Sequence, residues 1–347
     1  SIGEVLSICN GMDYKHLNRG NYPVYGTGGL IARVDDFLFE GESVCIGRKG
    51  TIDTPIYLNE KFWTVDTLFY SINFVGVIPK FIYYIFNTID WLSLNEASGV
   101  PSLSKDNIKL QLIQIPNLSE QQAIADALTK VDNLIMSLSK VIEKKKLIKK
   151  GAMQKLLSGE MRLDGFEGEW IKIKLGDISS IKTGSRNVEE HSANGKYPFF
   201  VRSKEVMKIN TFSYDEEAIL VPGEGGIGEI FHYVNGKFDV HQRVYKISDF
   251  NDKVNALFIY WYMIIFFGEY AKENTVKATV DSLRLPTFTD FICCLPPTKA
   301  EQTAIADILT TMDNEIEALE KERDKYKCIK QGMMQQLLTG KIRLTCQ

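Results

Sequence analysis

Two stretches of this chain place apolar residues at alternating steps of four and three. The earlier positions are Ile124, Leu128, Val131, Ile135, Leu138 and Ile142. The later positions are Ile305, Leu309, Met312, Ile316, Leu319, Tyr326, Met333 and Leu337. This spacing keeps one apolar stripe along a helix and is typical of a coiled-coil seam. The pattern therefore predicts two long amphipathic helices.

Both predicted helices carry start and stop signals. Asn117 and Thr298 are good N-caps, and each is followed three residues later by a glutamate, Glu120 or Glu301. The stop signals are Gly159 and Gly340. Each helix would then hold about 38 residues and form a rod of roughly 55 to 60 Å.

The two helices are copies of one another. Residues 120–163 and 301–344 align without a gap at a constant offset, with roughly 25 of 44 positions identical. Two copies in one chain favour antiparallel packing about a pseudo-two-fold axis, with the segment before each helix at opposite ends. Pairing with a second chain, as a homodimeric coiled coil, is the alternative.

Short apolar runs broken by Gly, Asn and Asp predict strands in the segments before the helices. These runs cover 43–46, 62–72, 218–221 and 229–234, and shorter helices are predicted at 81–86 and 257–267. The predicted fold class is α+β, with two mixed α/β globular domains separated by two long helices packed as an antiparallel coiled coil. The predicted domains are 1–117, 118–163, 164–298 and 299–347.

Composition limits the functional classes. Of 347 residues, 44% are hydrophobic, and no apolar run reaches the roughly 18 residues of a membrane span. The six cysteines form no CxxC pair and the four histidines are scattered, which predicts no metal site and a cytoplasmic protein with reduced thiols. The net charge of −3 is unusual for a nucleic-acid binder. Residues 118–163, however, carry nine basic against five acidic side chains, so positive charge is concentrated in the first helix.

The sequence offers little chemistry for catalysis. The run Gly223–Gly228 fits a dinucleotide-binding pattern, but residues 229–234 alternate like a strand where a helix must follow. We therefore predict a hairpin turn there. We find no Walker loop, methyltransferase motif or nucleophile with a plausible partner. Together with the two rods, this favours a binding protein that is no enzyme and uses no cofactor.

Basic and polar residues on predicted loops are the candidates for contact with nucleic acid. Arginine pairs with guanine through two hydrogen bonds, whereas lysine and serine more often hold phosphates. The candidates are Lys15, Arg19, Arg48, Lys49, Ser102, Ser104, Lys105, Arg186, Arg202, Lys204, His241, Arg243, Lys277 and Arg284. For any single position, an ordinary surface role is the alternative.

Several motifs carry a family resemblance. They are residues 116–126 with their copy 297–307, the Leu-Leu-x-Gly-x-x-Arg-Leu tails ending at Leu163 and Leu344, the link 162–177, and the turn 47–52. On these motifs the chain resembles the specificity subunit of type I restriction-modification systems. The resemblance implies two target recognition domains, each of which reads one half of a split DNA sequence, and helices that fix the gap between the halves.

The resemblance also implies partners other than double-stranded DNA. The helices of that family dock two methyltransferase subunits, which bind S-adenosylmethionine and methylate adenine, and restriction and motor subunits complete the complex. The residues assigned to docking are Glu120, Gln121, Asp126, Gly151, Glu301, Gln302, Asp307 and Gly332. We expect weak DNA binding by the chain alone and tight binding in the complex, because partners supply phosphate-binding charge.

Two departures from the family pattern stand out. Arg48 and Lys49 of the first glycine-rich turn align with Glu224 and Gly225 of the second, and the sequence opens without a counterpart of residues 164–174.

Two other functions fit the same residues. One is a solitary bipartite DNA-binding protein, and the other is a coiled-coil scaffold whose globular domains bind protein.

Overall fold

The computed structural model describes residues 1–275 and 281–344. The chain divides into two compact units. Unit 1 holds residues 1–140 together with the part of the chain from residue 320 onward, and unit 2 holds residues 141–319. Each unit thus contains one six-stranded sheet, the first part of the long helix that follows it, and the last part of the other long helix. The four domains predicted from the sequence stay a prediction.

Unit 1 is built on a six-stranded sheet. Its elements are α1 (Ile2–Val5), β1 (Ser7–Asn10), β2 (Arg19–Gly26), β3 (Gly29–Val34), β4 (Phe39–Gly47), β5 (Ile56–Thr64), β6 (Leu68–Ile72), α2 (Pro79–Phe86), a 3-10 turn (Trp91–Leu94), α3 (Lys105–Leu110) and the start of α4 (Leu118–Ser158). The strand order is β1-β6-β4-β5-β2-β3.

Unit 2 contains a six-stranded and a two-stranded sheet. Its elements are β7 (Ile171–Lys174), α5 (Leu175–Ile178), β8 (Ser180–Thr183), a 3-10 turn (Val188–Glu190), β9 (Tyr197–Phe200), β10 (Met207–Ile209), β11 (Tyr214–Pro222), β12 (His232–Val240), β13 (Val244–Ser248), α6 (Ala256–Glu273), α7 (Leu285–Thr289), β14 (Ile292–Leu295) and the start of α8 (Lys299–Leu337). The larger sheet has the order β10-β9-β12-β11-β13-β8, and β7 pairs with β14.

The two large sheets have the same topology. Written from the opposite edge, the order in unit 2 is β8-β13-β11-β12-β9-β10, which matches unit 1 strand for strand. The parallel pair also recurs, between β2 and β5 in unit 1 and between β9 and β12 in unit 2. The duplication visible in the helices therefore extends to the sheets, although the sequences of the sheets have diverged.

The central strand of each sheet explains where the core lies. β4 and β11 share one burial pattern, in which the first four residues alternate and the last five are all buried. A strand that is buried on both faces must be covered on both faces. In unit 1, α2 packs on β4, and Ile46 and Phe81 lie in one apolar cluster. In unit 2, α6 packs on β11, with Ile219 and Phe258 in the corresponding cluster.

The long helices match their prediction. α4 spans 41 residues and α8 spans 39. The side chains of Asn117 and Thr298 each accept a hydrogen bond from the backbone N–H of the residue three positions later, at 2.9 and 3.3 Å, as N-caps do. At the other end, Gly159 and Gly340 have φ of 77° and 69°, the left-handed conformation that favours glycine.

Within each unit the two helices run antiparallel. In unit 1, Asp132 pairs with Lys330 at 2.6 Å and Glu120 pairs with Arg343. Residue numbers therefore rise along one helix in the direction in which they fall along the other. Unit 2 repeats this with Lys145 and Glu315 at 2.6 Å and an Arg162–Glu301 pair. The α+β class with paired antiparallel helices is confirmed.

The predicted strands were less accurate than the predicted helices. The run 62–72 is two strands, because the chain turns at Val65, whose carbonyl accepts a hydrogen bond from Leu68 at 2.9 Å. The run 229–234 becomes a strand only at His232, since Glu229 still closes a turn onto Gly226. The turn prediction for 223–228 is confirmed, because this segment lies in the connection between the antiparallel strands β11 and β12.

Candidate nucleic-acid interface

A glycine-rich turn follows β4 in unit 1 and presents two cations. The backbone N–H of Arg48 donates to Thr67 at 2.7 Å, and the Arg48 carbonyl accepts from Leu103 at 2.9 Å. These bonds fix the backbone, while the side chains of Arg48 and Lys49 are exposed. Both line an open pocket of about 470 Å³ together with Ser102. Three of the predicted DNA-contact residues are therefore brought together.

The matching turn of unit 2 begins one residue earlier than sequence alignment suggested. Gly223 donates to Arg243 at 2.9 Å and accepts from Leu283 at 2.8 Å, the roles that Arg48 has in unit 1. The β-bridge between Lys49 and Ser102 likewise corresponds to the one between Glu224 and Ser282. Glu224 is thus the counterpart of Lys49, and the two turns carry opposite charge at the same place.

Glu224 organises two arginines around itself. Its carboxylate accepts from Arg243 at 2.8 Å and from Arg202 at 3.4 Å. The glutamate side chain is 19% exposed, whereas Arg202 and Arg243 are 48% and 57% exposed. The cations therefore face solvent while their common anion lies beneath them.

His241 completes this group as a neutral ring. Burial lowers its pKa, and the positive charges of Arg202 and Arg243 lower the pKa further. Its Nδ1 accepts a hydrogen bond from the backbone N–H of Arg243 at 3.0 Å, which requires an unprotonated Nδ1. In a neutral ring whose Nδ1 accepts this bond, Nε2 carries the proton and can only donate, and His241 is 5% exposed.

Arg186 is anchored inside unit 2. Its Nε donates to the buried carboxylate of Asp239 at 3.0 Å and its Nη1 to Glu190 at 3.0 Å. The bond to Asp239 is the main cause of the raised pKa of Arg186. The backbone of Arg186 also pairs with that of His241 in an isolated parallel β-bridge.

The remaining predicted contacts are scattered over the two units. Ser104 caps α3, accepting from Asn107 at 3.2 Å, and donates to Glu96 at 2.7 Å. The exposed ones are Lys15, Arg19, Lys204 and Arg284; Lys105 is half-buried with its Nζ 5.8 Å from the ring of Phe69, and Lys277 lies outside the described residues. All of these assignments stay predictions.

One cation near Arg19 was not among the predicted contacts. Arg33 lines an open pocket of about 810 Å³ with Arg19, beside the exposed Leu30 and Ile31. Its Nη1 donates to the carbonyl of Asn21 at 2.7 Å. Only the pairing of β2 with β3 places the two arginines together, and no spacing in the sequence indicated it.

Four of the residues assigned to docking are buried within the fold. Glu301 is fully buried and receives two hydrogen bonds from Arg162, at 2.6 and 2.8 Å. Glu120 is 4% exposed and receives the same pair from Arg343, at 2.7 and 2.6 Å. These hydrogen bonds from Arg343 are the main cause of the lowered pKa of Glu120. Both glutamates serve as anchors between helix ends.

The neighbouring glutamines tie each helix to its own sheet unit. The Oε1 of Gln121 accepts from Ile78 at 2.9 Å, and its Nε2 donates to the carbonyls of Gly76 and Pro116. The buried Gln302 repeats this arrangement, accepting from Asn255 at 2.8 Å and donating to the carbonyls of residues 253 and 296. A buried amide satisfied in this way positions the helix start.

A second repeated contact was missed from the sequence. Lys149 pairs with Asp313 and lies 4.3 Å from the centroid of the Trp261 ring. At the equivalent place in unit 1, Lys330 pairs with Asp132 and lies 5.6 Å from the ring of Tyr84. Since Asp132 and Asp313 are identical in both copies, the repeat itself was the available signal.

The other four docking candidates are free of such internal contacts with the sheets. Asp126 and Asp307 are exposed. Gly151 and Gly332 lie within the helices, and a Cβ built on either one meets no atom within 4 Å. Because neither glycine is required by neighbours within the described chain, its lack of a side chain leaves open space on the helix.

Other site types find little support in the described residues. Across 1–275 and 281–344, no cluster of three or more His, Cys, Asp or Glu side chains could hold a metal ion. Over the same ranges, none of the helices combines the length and apolar character that crossing a membrane requires.

Residues 1–149 and 167–325 match the type I restriction modification DNA specificity domain family. The chain is 27% identical over 343 aligned positions to the type I restriction enzyme MjaVIII specificity subunit of Methanocaldococcus jannaschii, covering 87% of this chain and 76% of that protein. It is 31% identical over 173 residues to the EcoDI specificity subunit of Escherichia coli. That match covers 49% of this chain and only 37% of the E. coli protein.

The fold is shared with a solved protein. The crystal structure of a type I restriction-modification system S subunit from M. genitalium superposes with a TM-score of 0.78, over 97% of this chain and 95% of that one. The sequence identity is 17%, so the likeness concerns the fold.

Proposed function

The chain belongs to the type I restriction modification DNA specificity family, and on that premise we propose that it is the DNA-reading subunit of a type I restriction-modification complex. The observation that carries the proposal is the double match, one in each repeat, to segments that each contain a complete sheet of one topology. A duplicated reader recognises two half-sites, and linking them raises affinity only where both are present.

We assign the two halves of the target to different surfaces. In unit 1 the cations Arg48 and Lys49 stand at the turn, and in unit 2 Arg202 and Arg243 stand over Glu224. Arginine is suited to guanine, and a carboxylate can accept from the amino group of cytosine. Because the turns differ in charge at one equivalent position, the two half-sites should differ in sequence.

We further propose that the helices dock two methyltransferase subunits and that these partners, with restriction and motor subunits, carry the chemistry. The exposed Asp126 and Asp307 and the open Gly151 and Gly332 are the part of the predicted set available for such contact. Glycine inside a helix costs roughly 0.5 to 1 kcal/mol relative to alanine. Its presence at equivalent positions in both copies is explained if a partner backbone approaches closely.

Replacing Gly151 and Gly332 by alanine tests this docking. The free energy of unfolding of the isolated chain should rise by about 0.5 to 1 kcal/mol per site, because the added methyl group meets no neighbour. Co-purification with the methyltransferase should fall. A matched Ala127→Gly change in α4 should instead lower the free energy of unfolding by a similar amount. If the alanine variant co-purifies with the methyltransferase as the parent chain does, the two glycines are not part of the docking surface.

The proposed function itself is tested by mapping methylated adenines in the host genome with and without this chain. We expect a split motif that disappears on deletion and returns on complementation. An unchanged methylation map would contradict the proposal. Specific DNA binding by the chain without any co-purifying methyltransferase would favour the solitary DNA-binding protein, and salt-independent binding to protein alone would favour the scaffold.

A further inference from the structure

The hairpin of β2 and β3 presents two apolar side chains beside two arginines. Leu30 is 53% exposed and Ile31 is 51% exposed, although both lie within a strand. The open pocket of about 810 Å³ is lined by residues 19–21 and 30–33 of this hairpin, which include Arg19 and Arg33. Apolar and cationic side chains thus share one open surface.

A β-bulge interrupts this surface at Ile31. Successive residue pairs join Val24 to Ala32 and Tyr25 to Leu30, so Ile31 is the extra residue of β3. Bulges re-aim side chains, and a bulge or a charged side chain on an outer strand hinders the addition of a further strand. β3 ends the strand order of its sheet and has both features. Its exposed side chains are therefore better suited to a partner other than another protein strand.

The tip of the hairpin lies against the glycine-rich turn after β4. The Oγ1 of Thr27 is 3.5 Å from the position of a Cβ on Gly50, and the same turn presents Arg48 and Lys49. A Cβ built on Gly28, next to Thr27, meets no atom within 4 Å. The hairpin therefore continues the surface that we assigned to DNA.

Unit 2 places the equivalent connection in the same way. β9 and β10 correspond to β2 and β3, and residues 201–206 between them carry Arg202. Arg202 donates to Glu224 at 3.4 Å, and Glu224 is the counterpart of Lys49. In both units this connection meets the glycine-rich turn, although different residues make the contact.

We propose that the β2–β3 hairpin enters the major groove of one half-site, where Leu30 and Ile31 recognise the methyl group of thymine. This proposal rests on the proposed function. The major groove is about 12 Å wide and admits a two-stranded ribbon, and the thymine methyl group is read there by apolar contact. Arg19 and Arg33, on the same surface, hold the phosphates beside the groove.

The first test changes the DNA and leaves the protein unchanged. The probe is a duplex with the split motif found by methylation mapping, in which the thymines of one half or of the other are replaced by deoxyuridine. Only the 5-methyl groups are lost. Binding by the chain, assembled with the methyltransferase proposed as its partner, should weaken about four- to tenfold for uracil in the half that unit 1 reads.

The variant Leu30→Ala/Ile31→Ala assigns this loss to the hairpin. It should bind the thymine duplex about four- to tenfold more weakly than the parent does. Uracil in the half that mattered to the parent should then weaken its binding by less than about twofold, because the apolar partner of the methyl group is already gone. Both side chains are more than half exposed, so the fold should tolerate the change.

A control variant removes two other exposed leucines of unit 1. Leu110 and Leu112 are 69% and 86% exposed. They flank residue 111, which accepts a hydrogen bond from Ile2 ahead of β1. The start of β1 pairs with the last residue of β6, whereas the end of β4, just before the glycine-rich turn, pairs with the first. Leu110→Ala/Leu112→Ala should therefore bind all of these duplexes as the parent does.

The proposal is overturned if uracil has no effect in either half, or if uracil weakens the parent and Leu30→Ala/Ile31→Ala equally. An equal loss of affinity in the leucine control would also overturn it. So would a dimer of the chain that Leu30→Glu dissociates, because a second copy would then cover the hairpin. In each of these cases the split methylation motif remains and the proposed function stands, whereas absence of that motif would overturn both.

Discussion

Glu301→Ala is expected to lower the free energy of unfolding by about 3 kcal/mol. The side chain is fully buried, and its carboxylate receives two hydrogen bonds from Arg162. Removing one partner of a buried ion pair leaves the other charge poorly solvated, at a cost of about 3 to 5 kcal/mol. The low end applies because Arg162 is 28% exposed. The quantity is measured by urea denaturation followed by tryptophan fluorescence.

The repeat supplies a matched control for this prediction. Glu120→Ala removes the equivalent carboxylate in unit 1, where Arg343 is 60% exposed and can be hydrated by water. Its loss of stability should therefore be clearly smaller than that of Glu301→Ala. The double variant Glu301→Ala/Arg162→Ala should recover part of the loss, because no unpaired cation is left. Equal losses in the two single variants would contradict this account of burial.

Replacing Arg48 and Lys49 together by alanine is expected to weaken specific DNA binding by about 100-fold. An arginine on guanine and a lysine on phosphate together contribute on this scale. Both side chains are exposed and held on a fixed backbone, so the fold should tolerate the change. Binding is measured as a function of salt concentration, with the chain assembled with the methyltransferase proposed as its partner. The logarithm of the binding constant falls with the logarithm of the salt concentration, and this slope should become less steep by about one to two.

A control variant that removes the same amount of positive charge separates a direct DNA contact from a general effect of net charge. Lys61→Ala/Lys109→Ala also removes two cations from unit 1, at positions outside the proposed interface and with partly exposed side chains. We expect less than about a threefold loss of binding for this variant. If both double variants lose affinity equally, the effect is one of net charge, and the turn after β4 is not a contact.

The long helices could be predicted because their signals are local. The N-caps Asn117 and Thr298, the glycine ends and the apolar spacing all act within a few residues of the chain. The role of Glu120 could not be predicted in the same way. A glutamate three residues after an N-cap predicts a local capping bond, but its carboxylate binds an arginine 223 positions away.

The sheets and the candidate interface depend on long-range pairing, which sequence spacing does not reveal. The correspondence of Lys49 with Glu224 became clear only from the strand registers, which shift the alignment of the turns by one residue. The arginines on Glu224 come from two separate loops, one after β9 and one between β12 and β13, which strand pairing brings together. The sequence indicated which residue types could bind DNA, and the pairing of strands decided which of them meet.

Unit 1 is assembled from two separate stretches of the chain, residues 1–140 and the residues from 320 onward, and this sets an order of events on the ribosome. Unit 2 is continuous, from residue 141 to residue 319, and can close as soon as that stretch has left the exit tunnel. The contact between Glu120 and Arg343 must wait until residue 343 has been translated. The sheet of unit 1 thus precedes that of unit 2 in synthesis, yet unit 1 is completed after unit 2. Until then the nascent chain exposes the apolar face on which Leu337 and Leu338 come to rest.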